Sequence, residues 1–181
     1  FVQSGTQNAG RTETYGLETS LEWLPTDRVT LALSYAFTKA RFVDYVQVGP
    51  NVPLSSINPL NTAEAGNDTA SLSGHKTPNT PENKLATDAT WRFPMSNGRN
   101  FILHGAAQYT GKVYVDDINL TWLPAWVNVD ASAGIEADRW SATFYVTNLL
   151  DDDTIRTAIK NVDYGTNDVR FYDNFRWLQP V

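Results

Sequence analysis

The chain has 181 residues, near the usual size of one domain, and its 14 basic and 20 acidic residues give a formal net charge of −6. This acidic balance argues against nucleic acid as a main partner, because phosphate binding needs a clustered basic surface. The sequence contains no cysteine, which excludes a disulfide framework, a thiolate metal site and a cysteine nucleophile. It has no apolar run of about 20 residues, so a membrane-spanning helix is also excluded.

Every second residue is apolar in six stretches of the chain, and this alternation is typical of β-strands. The apolar residues stand at odd positions in the first five stretches and at even positions in the sixth. In chain order, the stretches cover residues 15–23, 29–37, 85–93, 101–109, 127–135 and 140–146. A weaker seventh covers residues 169–177. We therefore predict an all-β fold of six to seven antiparallel strands.

The parity of the apolar positions predicts the length of each short turn. Antiparallel partners share a face of the sheet, so two odd apolar sets need a loop with an odd number of residues. We expect loops of three or five residues around Thr26 and around residues 96–98. Between Ile135 and Trp140 the parity changes, which predicts a two-residue turn at residues 138–139.

Short turns alternate with long connections, which cover approximately residues 42–83, 115–124 and 150–168. This asymmetry is typical of bacterial outer-membrane barrels, which have short periplasmic turns and long extracellular loops. It predicts an antiparallel up-and-down transmembrane β-barrel, of which this chain supplies a part. The first long connection contains five prolines. We expect it to be an irregular extracellular excursion, placed to meet ligand.

Aromatic residues on the apolar face form two bands. The first band lies beside the short turns and consists of Trp23, Trp91, Phe93, Phe101 and Trp140. The second lies about one bilayer thickness away and consists of Tyr15, Tyr35, Phe37 and Tyr109. Amphipathic rings are favoured at membrane interfaces, so the bands favour a membrane barrel. The alternative is a soluble β-sandwich whose tryptophans lie near the strand ends.

The barrel interpretation assigns each face of the sheet to lipid or to the interior. Leu31, Leu33, Val129 and Ala131 are predicted to contact lipid, whereas Glu18, Ser34, Asp130 and Ser132 are predicted to line the interior. Inward charged residues form a polar wall in this interpretation. They are Glu18, Glu22, Lys84, Asp88, Arg92, Lys112, Asp130 and Glu136.

Several motifs, in this order and spacing, resemble TonB-dependent outer-membrane receptors. They are residues 8–18 (NAGR leading to YGLE), 33–40 (LSYAFTKA), 74–84 (G followed by TPNTPENK), 109–114 (YTGKVY) and 146–151 (VTNLLD). In the last motif Leu150 stands where the family usually has Phe. Each motif is weak by itself, but in combination they cover most of the chain.

The resemblance implies a complete receptor with a 22-stranded barrel around an N-terminal plug. Such a receptor imports a scarce ligand, such as a ferric siderophore, with energy delivered by the TonB complex through the plug. The implied partners are outer-membrane lipid, TonB and a small-molecule metal chelate, and no cofactor is implied. We expect residues 1–181 to be a C-terminal part of the barrel, with the plug and the final strand absent from this chain. The gene is then expected to continue for roughly 15–25 residues.

No pattern in the sequence predicts catalysis, because Ser-His-Asp order, a phosphate loop and an HExxH motif are all missing. The ligand-contacting residues cannot be assigned from the sequence. The candidates are His75, Lys76, Trp122 and Trp126, which lie in or beside the long connections. The remaining alternatives for function are a passive porin-type channel and a soluble module that binds glycans through exposed tryptophans.

Two further groups have both a chemical and a structural interpretation. Residues 151–153 are three consecutive aspartates, which suit a hard cation. The favoured interpretation is that Asp151 caps the turn after Asn148 and that the others are solvated. His104 falls on the polar face opposite Thr90 or Arg92, where we expect a lumen histidine bonded to its neighbours rather than a metal ligand.

Overall fold

The computed structural model describes residues 10–48 and 69–158 of the chain. Its main element is one antiparallel sheet of six strands in chain order. The strands of the main sheet are β1 (Arg11–Thr26), β2 (Val29–Asp44), β5 (Asn83–Pro94), β6 (Asn100–Thr110), β9 (Trp126–Ala137) and β10 (Trp140–Val146). Two small hairpins pair β3 (Val46–Val48) with β4 (Thr69–Ser71) and β7 (Val113–Tyr114) with β8 (Trp122–Leu123). Among the described residues, no helix is long and apolar enough to cross a membrane.

The strand register places the apolar residues on one continuous face, as the alternation predicted. One row of direct partners runs Leu21, Leu33, Thr87, Ala107 and Val129 across five strands. The neighbouring row runs Ser20, Ser34, Ala86, Gln108 and Asn128. Since direct partners share a face, the first row is apolar and the second lies on the polar face. The apolar face is uncovered, with Leu17 61% and Phe144 72% exposed.

The turns confirm two of the three predicted loop lengths. Pro94 pairs with Asn100, which leaves a five-residue loop that contains a 3-10 turn at Ser96–Gly98. Asn97 and Gly98 have φ of 66° and 68°, the left-handed region that asparagine and glycine tolerate. Trp140 pairs with Ala137, which leaves the predicted two-residue turn.

The odd-numbered loop predicted around Thr26 is wrong. Thr26 pairs with Val29, so the turn has two residues, and the register shifts between Trp23 and Thr26. The shift is a β-bulge, in which β1 has one more residue than β2. Because of this extra residue, Trp23 shares the apolar face with its partner Leu31 although the turn has an even number of residues. Pro25 lies within the bulge, where its missing N–H does not interrupt the hydrogen bonds between the strands.

Both aromatic bands lie on the apolar face. Trp91 and Phe93 stack with ring centroids 4.5 Å apart beside the five-residue loop. Tyr15 lies eight residues from Trp23 along β1. At roughly 3.4 Å per residue this separation is about 27 Å, close to the height of the apolar band of a membrane barrel.

The first long connection is partly regular, so the expectation of an irregular excursion is wrong for residues 46–48 and 69–71. Residues 46–48 and 69–71 form a hairpin, and His75 continues the pairing along β2 by accepting the backbone N–H of Phe42. The small hydrophobic core lies here, where Phe42, Leu72 and Ile118 are all buried. Because Phe42 is on the even, polar face of β2, both connections fold over that face. The predicted strand at residues 169–177 lies outside the described residues.

Candidate functional site

The polar face of the sheet forms a wall of polar side chains interspersed with alanines, and it has a shallow basin near the long connections. One row of direct partners crosses it: Glu18, Ala36, Lys84, Thr110 and Trp126. These residues line the basin with Ser20, Ser34 and Gln108 from the adjacent row. The predicted inward residues Asp130 and Ser132 are partners of Ala106 and His104 on this face.

Towards the short turns, two pairs of titratable groups on the wall are hydrogen-bonded to each other. His104 pairs with Thr90, one of the two predicted registers, and its Nε2 lies 2.5 Å from the Asp88 carboxylate. Arg92 donates to Glu136 at 2.5 Å. His104 is therefore bonded to a neighbour on the wall, as predicted.

His75 and Lys76 lie where the first long connection meets the second. Both backbone groups of Lys76 bond to the side chain of Asn119, at 2.7 and 2.9 Å. The Lys76 ammonium forms an ion pair with Glu82 at 2.9 Å. The Nδ1 atom of His75 is buried and has no hydrogen-bond partner among the described residues. Lys76 thus joins the two connections, whereas the backbone of His75 bonds to Phe42 and Leu72.

Trp122 is half exposed and forms part of a cation–aromatic cluster. The Lys112 ammonium lies 4.3 Å from the centre of the Trp122 ring and 4.7 Å from that of Tyr114. Lys76 approaches the same Tyr114 ring at 5.7 Å. The structure thus brings together two of the sequence candidates, Lys76 and Trp122, through a lysine and a tyrosine that were not candidates.

Trp126 lies on the polar face, one position out of phase with the apolar residues of β9. The guanidinium carbon of Arg156 is 4.3 Å from the centre of its ring. Sequence reasoning missed Arg156, which lies in a segment without regular structure after β10. The out-of-phase position of Trp126 was the available signal, because a large aromatic residue on a polar face has no lipid to contact.

The backbone N–H of Asp151 closes the turn after Asn148 by donating to the Asn148 carbonyl at 2.9 Å, but the aspartate whose side chain is hydrogen-bonded is Asp152, which we expected to be solvated. Asp152 accepts the backbone N–H groups of Val127 and Thr154, at 2.9 and 2.8 Å, and its own N–H donates to the Asn148 side chain. Hydrogen bonds from Thr154 and Val127 lower the pKa of the Asp152 carboxyl. Within residues 10–48 and 69–158, no group of three acidic or histidine side chains is placed to hold a metal ion.

Tyr45 joins the first long connection to the second. Its ring centroid lies 4.8 Å from that of Phe42, at the edge of the small core. Burial raises the pKa of the Tyr45 hydroxyl, and the nearby Asp117 carboxylate raises it further. Asp116 is buried and accepts the N–H groups of Leu120 and Thr121, so its charge is compensated by backbone donors.

The described residues thus form a sheet with one exposed apolar side, one polar side and long connections at one end. Residues 2–149 match the model of the TonB dependent receptor-like, beta-barrel family. The chain belongs to this family. It is therefore part of a β-barrel of the bacterial outer membrane, which excludes the soluble β-sandwich.

The structural comparison finds the same fold for this receptor barrel segment. The crystal structure of the ferric yersiniabactin uptake receptor FyuA from Yersinia pestis matches with a TM-score of 0.65 and 18% sequence identity. The match covers 85% of this chain and 21% of that receptor, so the chain spans about a fifth of its length. A sequence search of curated proteins returns no match.

Proposed function

We propose that the protein to which this chain belongs is a receptor that imports a scarce ligand, a ferric siderophore, with energy from the TonB complex. The observation that carries the proposal is the family match over residues 2–149. The structural similarity to a receptor for ferric yersiniabactin uptake supports a ferric chelate as ligand. The protein is in this view a transporter and not an enzyme.

The polar wall and the long connections have the chemistry expected of the outer half of such a transport path. The polar wall supplies hydrogen-bonding groups along the interior, and the long connections fold over it at one end. Lys76, Trp122 and Trp126 lie at that end, where a ligand would first meet the barrel. Their contact with ligand stays a prediction, as does that of His75.

The domain assignment belongs to the same proposal. We place residues 1–181 in the C-terminal part of the barrel of a longer receptor, in which a separate plug contacts TonB. Six strands cannot close a wide barrel, and the edges at β1 and β10 need further strands as partners in lipid.

The experiment compares the uptake of radioactive iron by cells that carry the complete gene with uptake by cells that lack it. The iron is supplied as ferric chelates purified from spent medium. Deletion of the gene is expected to abolish saturable uptake of one chelate. Dissipation of the proton gradient, or loss of TonB, is expected to do the same in the wild type. Uptake that persists without TonB would indicate the passive porin-type channel instead.

A further inference from the structure

The apolar face of the sheet has a cation at its short-turn end. Between the two aromatic bands, the six strands of the main sheet carry no charged residue on this face. Arg99 directly precedes β6 and stands two residues before Phe101, so it lies on the same face, just beyond the band beside the short turns. Since the family places this face in lipid, Arg99 lies at the level where the hydrocarbon of the membrane ends.

The Arg99 side chain lies over an aromatic ring. The pairing of β9 with β6 and with β10 makes Arg99 and Trp140 flank Ala137 on the apolar face. The guanidinium carbon of Arg99 is 5.8 Å from the centre of the Trp140 ring, which is half exposed. The Arg99 carbonyl accepts the backbone N–H of Met95 at 2.8 Å, which closes the loop and fixes the position of the arginine.

No carboxylate of the described residues neutralises Arg99. It takes part in no ion pair in the part of the chain that the structure describes. Glu136, which lies nearby on the polar face, is held by Arg92 at 2.5 Å. Asp138 and Arg139 form the exposed turn before Trp140 and balance each other in charge. A ring orients a cation but carries no net charge, so the charge of Arg99 is left for a further partner.

An aromatic surface begins directly beside this cation. The ring centroid of Phe101 is 5.9 Å from that of Phe93, which stacks on Trp91 at 4.5 Å. A cation at the edge of an apolar surface fits an amphipathic anion, because one end of the molecule binds the charge while the other covers the rings. A small soluble anion would leave the rings uncovered.

We propose that Arg99 and Trp140 form a binding site for the headgroup phosphate of an anionic glycerophospholipid, whose acyl chains lie against the rings of Phe101, Phe93 and Trp91. Arginine binds phosphate through parallel, charge-assisted N–H···O bonds, and basic residues at a membrane surface attract anionic lipids. The short turns of outer-membrane barrels are periplasmic, so the lipid belongs to the periplasmic leaflet. The site lies on the outside of the barrel and does not depend on the imported ligand.

The test is photochemical labelling of the complete receptor in phosphatidylcholine vesicles. Two lipid probes carry a diazirine at the same position of one acyl chain, near the glycerol. One probe has the anionic phosphatidylglycerol headgroup and the other the zwitterionic phosphatidylethanolamine headgroup. Mass spectrometry of digested receptor locates the label. Peptides that contain residues 95–101 or 140–146 are expected to be labelled about five-fold more by the anionic probe. Inorganic phosphate in the buffer should not reduce this labelling, since it has no acyl chain.

Variants locate the preference. Arg99→Gln removes the charge and is expected to lower labelling of these peptides by the anionic probe about five-fold, with less than about two-fold change for the zwitterionic probe. Arg99→Lys keeps the charge and should retain most of the labelling. Heat-modifiable migration in gels confirms that each variant has assembled.

The matched control is Arg28→Gln, which removes an arginine from another short turn at the same end of the sheet. The Arg28 carbonyl accepts the Arg92 N–H at 2.7 Å, and Arg28 precedes Val29, a residue of the apolar face. Alternation therefore puts Arg28 on the opposite face, and its loss should change labelling by neither probe.

Four outcomes would overturn the site. They are equal labelling by the two probes in the wild type, unchanged labelling in Arg99→Gln, an equal loss in Arg28→Gln, and competition by inorganic phosphate. The third would show that the net charge of the rim attracts the lipid, and the fourth would assign the site to a soluble anion. Since no readout involves uptake, failure of the site leaves the proposed function intact, and uptake that does not depend on the gene leaves the site intact.

Discussion

At the residue scale, the absence of a β-carbon at one glycine allows two strands of this sheet to lie close together. Gly16 on β1 pairs with Thr38, and a β-carbon at Gly16 would lie 2.1 Å from the Phe37 carbonyl oxygen. Gly105 on β6 is different, because a β-carbon there would lie 4.0 Å from its nearest neighbour, the Asp130 carbonyl oxygen. The close approach at Gly16, and not strand composition, requires glycine.

We therefore expect Gly16→Ala to lower the free energy of unfolding by about 1–3 kcal/mol, because the two strands must move apart. Gly105→Ala is the matched control and should be neutral or stabilising by about 0.4–1 kcal/mol, since the added methyl group lies at van der Waals distance from the nearest backbone atom and restricts the unfolded chain. Urea unfolding of the complete receptor in lipid vesicles measures both. Similar losses at the two positions would show that the contact with Phe37 is not the cause.

At the scale of elements, the two long connections act as one folded unit. The buried cluster of Phe42, Leu72 and Ile118 takes residues from β2 and from both connections. The Asn119 side chain bonds to the backbone of Lys76 across the same boundary. The unit lies on the polar face and is fixed to the barrel by the pairing of β2 with residues 74–77.

The pairing of β3 with β4 defines the ends of a deletion within the first long connection. Val48 and Thr69 are direct partners, so an Asn-Gly turn can replace residues 49–68 without changing the strands. We expect the replacement to leave barrel assembly intact and to reduce uptake of the ferric chelate, because the buried core of Phe42, Leu72 and Ile118 is kept while residues proposed to meet ligand are removed. Gel migration and iron uptake measure the two effects.

The matched control replaces residues 115–121 by the same turn. This removes Ile118 and Asn119, so it is expected to increase protease cleavage of the first connection, which the deletion of residues 49–68 should not do. Loss of assembly after the deletion of residues 49–68, with normal uptake by the protein that remains, would reverse the roles assigned to this connection.

At the scale of the whole molecule, the sheet separates lipid from a polar interior. The rows through Leu33 and Ser34 run parallel and differ only in face. Leu33 lies between the two aromatic bands on the apolar face and is 39% exposed. Membership of the receptor barrel family assigns this face to the outer membrane.

Leu33→Arg in the complete receptor is expected to lower the free energy of unfolding by roughly 2–4 kcal/mol, because it places arginine on the lipid face near the bilayer centre. Ser34→Arg is the control on the polar face and should cost far less, because its guanidinium reaches the interior. Unfolding of both variants in vesicles gives the comparison. Equal costs would contradict the assignment of the two faces.

Much of the fold could be read from the sequence because period-2 alternation is a local property. The positions of Trp23, Leu33 and Trp140 on one face follow from the alternation of apolar and polar residues in each strand. The bulge near Pro25 does not change the face on which Trp23 lies. The sequence does not show that Asp152 is the hydrogen-bonded carboxylate of the aspartate run, because neighbouring aspartates are equivalent in sequence. Only the backbone geometry decides which one meets the N–H of Val127.

The sequence by itself determined the sheet, its two faces, two of its three short turns and the resemblance to outer-membrane receptors, since each depends on residues close together in the chain. Only the tertiary structure showed which side chains of the candidate site contact each other. The contacts of Lys112 with Trp122 and of Arg156 with Trp126 join residues 10 and 30 positions apart through chain reversals. Such contacts depend on how the connections fold over the sheet, and no local periodicity encodes that path.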